Sequence, residues 1–276
     1  MRAVRWTIGA VGVVAAIGAM VPAAGAQELR RYKPVTISYD VKGADDPGLT
    51  ALIEKLRGAL AKKDATAIRE AASPQLVVIA PAIGFPPAAA PKPEKLDDKL
   101  TGPERLDKAF ARLSTSGEEP KRKELDGLIL LGVGEALAKG TVSRSTLVRG
   151  AFCAPAEPRF DRAQVLAVAK AAGEVPDNLV ILTEETTFLE KPDTAAASAG
   201  ALKPGTVVPF IEGAVEGADR KRDWYAVALP SGKRGYAKND KSMSFEATRL
   251  CFTRDGKGED AAWTISTIVI PSLIEQ

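Results

Sequence analysis

Residues 202–236 read LKPGTVVPFIEGAVEGADRKRDWYAVALPSGKRGY, and this stretch decides the fold of the region around it. Pro204-Gly205 is a turn signal, because proline presets φ and glycine tolerates the left-handed conformation. It launches Thr206, Val207 and Val208, whose branched side chains suit a strand. A charged loop, residues 213–222, reverses the chain, Trp224 to Val227 return, and Pro230-Ser231-Gly232 turns into a short strand ending at Tyr236. Short strands joined by such turns predict a small antiparallel β unit.

Working outward, strand-like periodicity begins at Leu179. Residues 179–182 and 186–189 read as strands, and residues 192–200 as a loose Ala-Ser loop. Downstream, residues 245–253 and 262–270 form a hairpin about Asp255-Gly256. In its second arm Trp263, Ile265, Thr267 and Val269 alternate with Thr264, Ser266 and Ile268.

Upstream of residue 177 the period is helical. Asp46 followed by Pro47 is an N-cap with proline in the first turn, and Leu49, Leu52, Ile53, Leu56 and Leu60 recur at spacings of three and four. A shorter helix over residues 65–72 stops at Ser73-Pro74, and residues 76–79 read as a buried strand. Residues 80–93 hold Pro81, Pro86, Pro87, Pro91 and Pro93 and read as a stiff loop. Thr101 and Glu104 have capping-box spacing before Leu106, Phe110 and Leu113. A fourth helix carries Leu125, Leu128, Ile129, Gly132, Val133, Ala136 and Leu137 on one stripe, and Gly132 there suits close helix packing. Asp161 caps a fifth, with Val165, Leu166 and Val168. Upstream of Asp46, Val35, Ile37 and Tyr39 alternate with polar residues, as a short strand or a tether.

Before that lies a leader. Arg2 and Arg5 precede an apolar run over residues 8–20, and Ala24-Gly25-Ala26 supplies small residues for cleavage before Gln27. The run is too short and too rich in Gly and Ala for a membrane span of roughly 20 residues. Residues 1–26 therefore read as a secretory signal peptide, and no membrane span is expected after its removal. In an exported chain the two cysteines, Cys153 and Cys251, are expected to pair. Two buried free thiols, or one reactive thiol, are the alternatives.

The composition excludes much chemistry. With 38 Lys and Arg against 35 Asp and Glu, the chain lacks the clustered basic excess that a nucleic-acid surface needs. It has no histidine, which removes the usual general base, the Ser-His-Asp and Cys-His arrangements and the commonest zinc ligand. No Ser-x-x-Lys pattern occurs. Paired acids at Asp45-Asp46, Asp97-Asp98, Glu118-Glu119 and Glu184-Glu185 leave carboxylate hydrolysis formally open, but acids adjacent in a strand point to opposite faces. No metal or cofactor is expected.

The order Leu189-Glu-Lys-Pro192, Ala201-Leu-Lys-Pro-Gly-Thr-Val-Val208, Trp224-Tyr-Ala-Val-Ala-Leu-Pro-Ser-Gly-Lys233 and Gly235-Tyr236 resembles the bacterial SH3-like (SH3b) family over about residues 178–243. Asp193, Tyr236 and Ala237 depart from the family pattern of serine, tryptophan and a β-branched residue. The flanks resemble exported SH3b proteins in which a helical region precedes the barrel and a hairpin follows it. Here Thr248-Arg-Leu-Cys-Phe252 and Ala262-Trp-Thr-Ile-Ser-Thr267 match that hairpin. The resemblance implies an α+β chain: a signal peptide (residues 1–26), a mainly helical N-terminal domain (27–176), an SH3-like small β-barrel (177–243), and a C-terminal β-hairpin (244–276) packing on the N-terminal domain.

The function this implies is non-enzymatic binding or scaffolding outside the cytoplasm, with the barrel contacting a cell-wall peptide or a periplasmic protein. Trp224, Tyr225, Tyr236 and Phe188 are the candidate contact residues, since aromatics combine large area with a polar tip; the alternative for Trp224 and Phe188 is the core. Two other functions stand beside it: a small-molecule site in the N-terminal domain lined by Leu56, Phe110 and Ile129, and the carboxylate hydrolase.

Overall fold

A computed structural model describes residues 29–80, 92–114, 118–138, 140–211, 215, 224–238, 242–245, 247–256 and 261–270. The leader, most of the proline-rich stretch and most of the loop 213–222 lie outside the described residues. The described chain is α+β, with five helices and three sheets, none closed into a barrel.

The first half builds helices α1 (Pro47–Ala61), α2 (Ala65–Arg69), α3 (Gly102–Ala111) and α4 (Arg122–Ala138), with strands β2 (Ala72–Ile79), β3 (Glu94–Lys95), β4 (Ser143–Arg144) and β5 (Phe152–Ala154). Asp46 caps α1 by accepting from the Gly48 and Leu49 amides at 2.9 and 3.1 Å, and Glu104 accepts from the Thr101 amide at 2.8 Å to start α3. The second helix is shorter than its sequence suggests, because β2 already begins at Ala72. The strand runs through Pro74, whose missing N–H is tolerated at an irregular part of the ladder.

The second half adds α5 (Arg162–Ala172) and strands β6 (Leu179–Leu182), β7 (Thr186–Leu189), β8 (Ser198–Leu202), β9 (Thr206–Pro209), β10 (Trp224–Ala228), β11 (Arg234–Lys238) and β12 (Ser242–Ser244). The expected loose loop thus ends in a strand: Ser198, Gly200, Ala201 and Leu202 pair with β7. One sheet runs β10-β11-β7-β8, and the other is β9-β6-β12 with β1 (Val35–Thr36) added at its edge. Leu182, Val208, Phe188, Tyr225, Val227, Leu229 and Ala237 fill the space between the two sheets. Helix α5, read with the helical half, covers the other face of the β1 sheet. Its Val165, Val168 and Ala169 pack on Val35, Ile37, Leu179, Ile181 and Val207.

The halves exchange their ends. Strands β13 (Arg249–Asp255) and β14 (Ala262–Val269) form the C-terminal hairpin. They occupy the middle of a six-stranded sheet in the order β3-β2-β14-β13-β5-β4, with β14 parallel to β2 and β13 antiparallel to β5. Helices α1 to α4 cover one face, where Leu76, Val78, Phe152, Leu250, Phe252, Ile265 and Ile268 join Leu56, Phe110 and Ile129 in one core. The simple alternation read in β14 is broken at Ser266. The ladder passes from Cys251 opposite Thr267 to Phe252 opposite Ile265, so one extra residue flips the face. That bulge puts Ile265 and Ile268 on the same side, while Val269 joins Cys153 and Cys251 on the other.

Cys153 and Cys251 stand directly opposite each other on β5 and β13. They are disulfide-bonded across a sequence separation of 98 residues, and both are fully buried. Gly132 on α4 lets the Phe110 ring approach so closely that a Cβ there would lie 2.5 Å from the ring. Arg69, only 3% exposed, is held between Asp107 at 2.5 Å and Asp126 at 2.7 Å, so a buried charge joins α2, α3 and α4 with two counter-ions.

Candidate functional site

The four candidate aromatics do not share a surface. Trp224 pairs with Lys238 and Ala226 with Tyr236 across β10 and β11, so strand alternation sends Trp224 and Tyr236 to one face and Tyr225 to the other. Tyr225 is 4% exposed and Phe188 not at all. Their rings meet edge to face at 6.4 Å in the core between the sheets, which removes both from the expected contact surface. The adjacency of Trp224 and Tyr225 in one strand already carried this information.

What remains on the outer face is a smaller group. Trp224 is 7% exposed, with the Lys238 ammonium 6.0 Å from its ring centre, a cation–π arrangement. Tyr236 is half-buried and stands opposite Leu189 of β7, and Lys238 is exposed. Trp224 is thus buried as well, as the alternative reading had it, and the accessible groups of this face are the Tyr236 phenol and the Lys238 ammonium.

A second surface of the β half is covered by a segment of the chain itself, upstream of α1. Residues 29–38 lie in extended form against β9 and the turn after β10. The Tyr32 amide donates to the Pro230 carbonyl at 3.2 Å, and its hydroxyl donates to the Ala228 carbonyl at 2.7 Å. Burial pushes the Tyr32 phenol well above the ordinary range. Gly232, at φ +79, makes this approach possible, since a Cβ there would sit 3.1 Å from the Leu29 carbonyl oxygen.

The other expected sites disperse. Leu56, Phe110 and Ile129 are completely buried and fill the core of the helical half rather than line a cavity. Glu184 and Glu185 are both exposed at a strand connection. Glu119 pairs with Lys108, Asp98 with Arg105, and Asp97 caps a turn at the Lys99 amide. Asp46 is occupied structurally: besides capping α1 it accepts from the Trp263 indole at 2.8 Å and from Arg254 at 2.6 Å. Burial pushes the Asp46 carboxyl up, but the Leu49 amide, Trp263 and Arg254 outweigh it and hold it below the usual carboxylate range. Among the described residues no group of three His, Cys, Asp or Glu is arranged to hold a metal.

Sequence reasoning missed the junction between the halves. Glu157 is 8% exposed and accepts from the Ser145 hydroxyl at 2.8 Å, from the Thr146 amide and from the Thr146 hydroxyl, tying down the connection between β4 and β5. Arg249 of β13 donates to the Ala247 and Phe245 carbonyls. Burial lowers its pKa, and Glu157 and Tyr39 act in the opposite sense. No periodicity flags these residues, because each is buried by tertiary packing from a loop or a strand end. The adjoining cavity, lined by Tyr39, Pro155, Leu182 and Met243 among others, is about 50 Å³, room for a water or two. A larger open groove of about 820 Å³ runs along α1 between Lys42 and Arg57; there Arg57 is already paired with Glu54.

Among the described residues no helix is long and apolar enough to cross a membrane, and the bonded cysteines are compatible with an oxidising compartment. Comparison with protein-family models, curated proteins and solved structures finds no match to this chain.

Proposed function

We propose that this chain is an exported, non-enzymatic binding or scaffold protein, with an SH3-like β half that contacts a cell-wall peptide or a periplasmic protein. The observation that carries the reading is the grouping of Trp224, Tyr236 and Lys238 on one outer face of the β10-β11-β7-β8 sheet. The sheet presents the half-buried Tyr236 phenol and the exposed Lys238 ammonium beside the buried Trp224 ring, and tyrosine is among the residues enriched at binding hot spots. The strand order and turn chemistry of residues 178–243 support the SH3-like assignment, and the buried disulfide supports export. The scattering of the acid pairs favours binding over hydrolysis.

The test is co-sedimentation of the intact protein with purified peptidoglycan, followed by titration with soluble stem peptides. Tyr236→Ala and Lys238→Glu are expected to weaken binding roughly tenfold each, with unchanged circular dichroism. Equal retention of both folded variants and the parent protein would sink the assignment of this face. Cross-linking in the periplasm with a photoreactive residue at position 236 reads out the protein-partner alternative.

A further inference from the structure

Residues 29–38 add to the β half as an extended segment. The backbone bonds they make go to the β half: Arg30 N–H to Ala171 O at 3.2 Å, Tyr32 N–H to Pro230 O at 3.2 Å, Ile37 N–H to Gly205 O at 2.9 Å, and a reciprocal pair between Ser38 and Arg159. Val35 and Thr36 pair antiparallel with Val207 and Thr206. Side chains alternate in the manner of an added strand over residues 34–38: Val35 and Ile37 point inward at 6% exposure each, while Pro34, Thr36 and Ser38 are exposed; the exposed Lys33 breaks the alternation, and Tyr32 makes the third inward contact. Main-chain bonds supply the affinity and three inward positions supply the selectivity, as in strand addition to a sheet edge.

Two further features set this segment apart from an ordinary core strand. β1 stands at the edge of its sheet, so β9 keeps its pairing with β6 when β1 leaves. The connection to α1 is exposed, with Val41 at 55% and Gly43 at φ +83. The geometry points to a strand-acceptor site formed by the edge of β9 and residues 228–232, filled in cis by residues 29–38 and receptive to an extended peptide of the same pattern. That pattern is an aromatic hydroxyl, a β-branched residue three positions on, and an aliphatic residue two beyond that. The site is defined by strand register alone and does not rest on the SH3-like reading. Tethering holds the attached segment at an effective concentration in the millimolar range, so a competing peptide enters only when the segment lifts.

The experiment uses the full chain with residues 42–45 replaced by a protease recognition sequence. After cleavage and exhaustive dialysis, a fluorescein-labelled peptide of residues 29–40 is titrated by anisotropy. Saturable binding to the cut chain, displacement by unlabelled peptide, and at least 100-fold weaker binding to the uncut chain are expected. A Tyr32→Phe peptide should bind roughly fivefold to tenfold more weakly, having lost one hydrogen bond. An Ile37→Pro peptide, which lacks the donor to Gly205, should not bind measurably. Three results would overturn the inference: equal binding to cut and uncut chains, undiminished binding of the Ile37→Pro peptide, or no binding by a cut chain that keeps its circular dichroism. Loss of the fold on cutting, unrestored by added peptide, would overturn it too, by making the segment part of the core.

Discussion

The six-stranded sheet of the helical half and the β1 sheet of the β half are each completed by a segment from the opposite end of the chain, and the two segments are held in different ways. The C-terminal hairpin sits in the middle of its sheet, paired on both sides to β2 and β5. It is sealed by a disulfide and buries Phe252, Ile265 and Ile268 without residual exposure. The N-terminal segment sits at an edge, with β1 pairing to β9 alone and Ser38 adding a single bridge to Arg159, and is joined to α1 by exposed loop. A central strand cannot leave without opening two ladders and a core, whereas an edge strand leaves its neighbour paired. Position within the sheet, more than the number of buried side chains, therefore separates a segment that locks the fold from one that can be exchanged.

The disulfide widens this asymmetry. It joins residues separated by 98 positions in sequence, and the loop so closed contains all of the β half from α5 to β12. Both cysteines belong to the six-stranded sheet, so the bond fixes the hairpin there and closes the long loop in the unfolded state. The β1 segment lies outside that loop.

The strongest way to break the comparison is to empty the central hairpin. Phe252→Ala is expected to destabilise the chain by about 3–5 kcal/mol, measured by urea denaturation. Ile37→Ala in the edge segment should fall near the low end of its class, about 2 kcal/mol. Equal effects would mean that the edge segment is as integral as the hairpin. Next in size, replacing both Cys153 and Cys251 by alanine should cost about 2–4 kcal/mol. The same loss should follow reduction only after unfolding, because both sulfurs are buried; rapid reduction of the native protein would show that the hairpin opens locally.

Tyr32→Phe removes the bond to the Ala228 carbonyl and should cost about 0.5–1.5 kcal/mol. Hydrogen exchange at β9 should accelerate while exchange at β13 and β14 is unchanged; acceleration in both sheets would couple the two segments. The smallest effect concerns acid. The Asp46 carboxyl is held low in the folded state, so its contribution is present above its unfolded value, near pH 4. It is lost as pH falls through the lower folded value. Thermal melts from pH 6 down to pH 2 should show Asp46→Asn less stable than the parent at neutral pH and converging with it at the acid end. A constant gap across that range would rule out the carboxylate as the source.

Much of this was legible in residues alone. The caps at Asp46, Thr101 and Asp161 start helices that the structure contains, Gly132 marks the helix contact with Phe110, and the two cysteines, expected to pair, are bonded. The strands at 206–209, 224–228 and 234–238 follow from turn chemistry and branched side chains. The candidate site was legible only in part. Alternation separates Trp224 from Tyr225 once the strand is drawn, but the burial of Phe188 needs the second sheet, and the cover formed by residues 29–38 joins residues nearly two hundred positions apart. Asp46 could be read as a cap; its bonds to Arg254 and Trp263 could not.

Local physics accounts for the division. Helix period, capping, turn preference and strand alternation act over a few residues, so the sequence by itself determined most of the elements, the β character of the described residues from 179 to 270 and the pairing partners of the cysteines. Which element lies beside which is set by complementary packing between surfaces distant in sequence. Only the tertiary structure decided that the last hairpin enters the middle of the first sheet, that a bulge at Ser266 turns Ile268 toward the helices, and that the first strand closes the edge of β9.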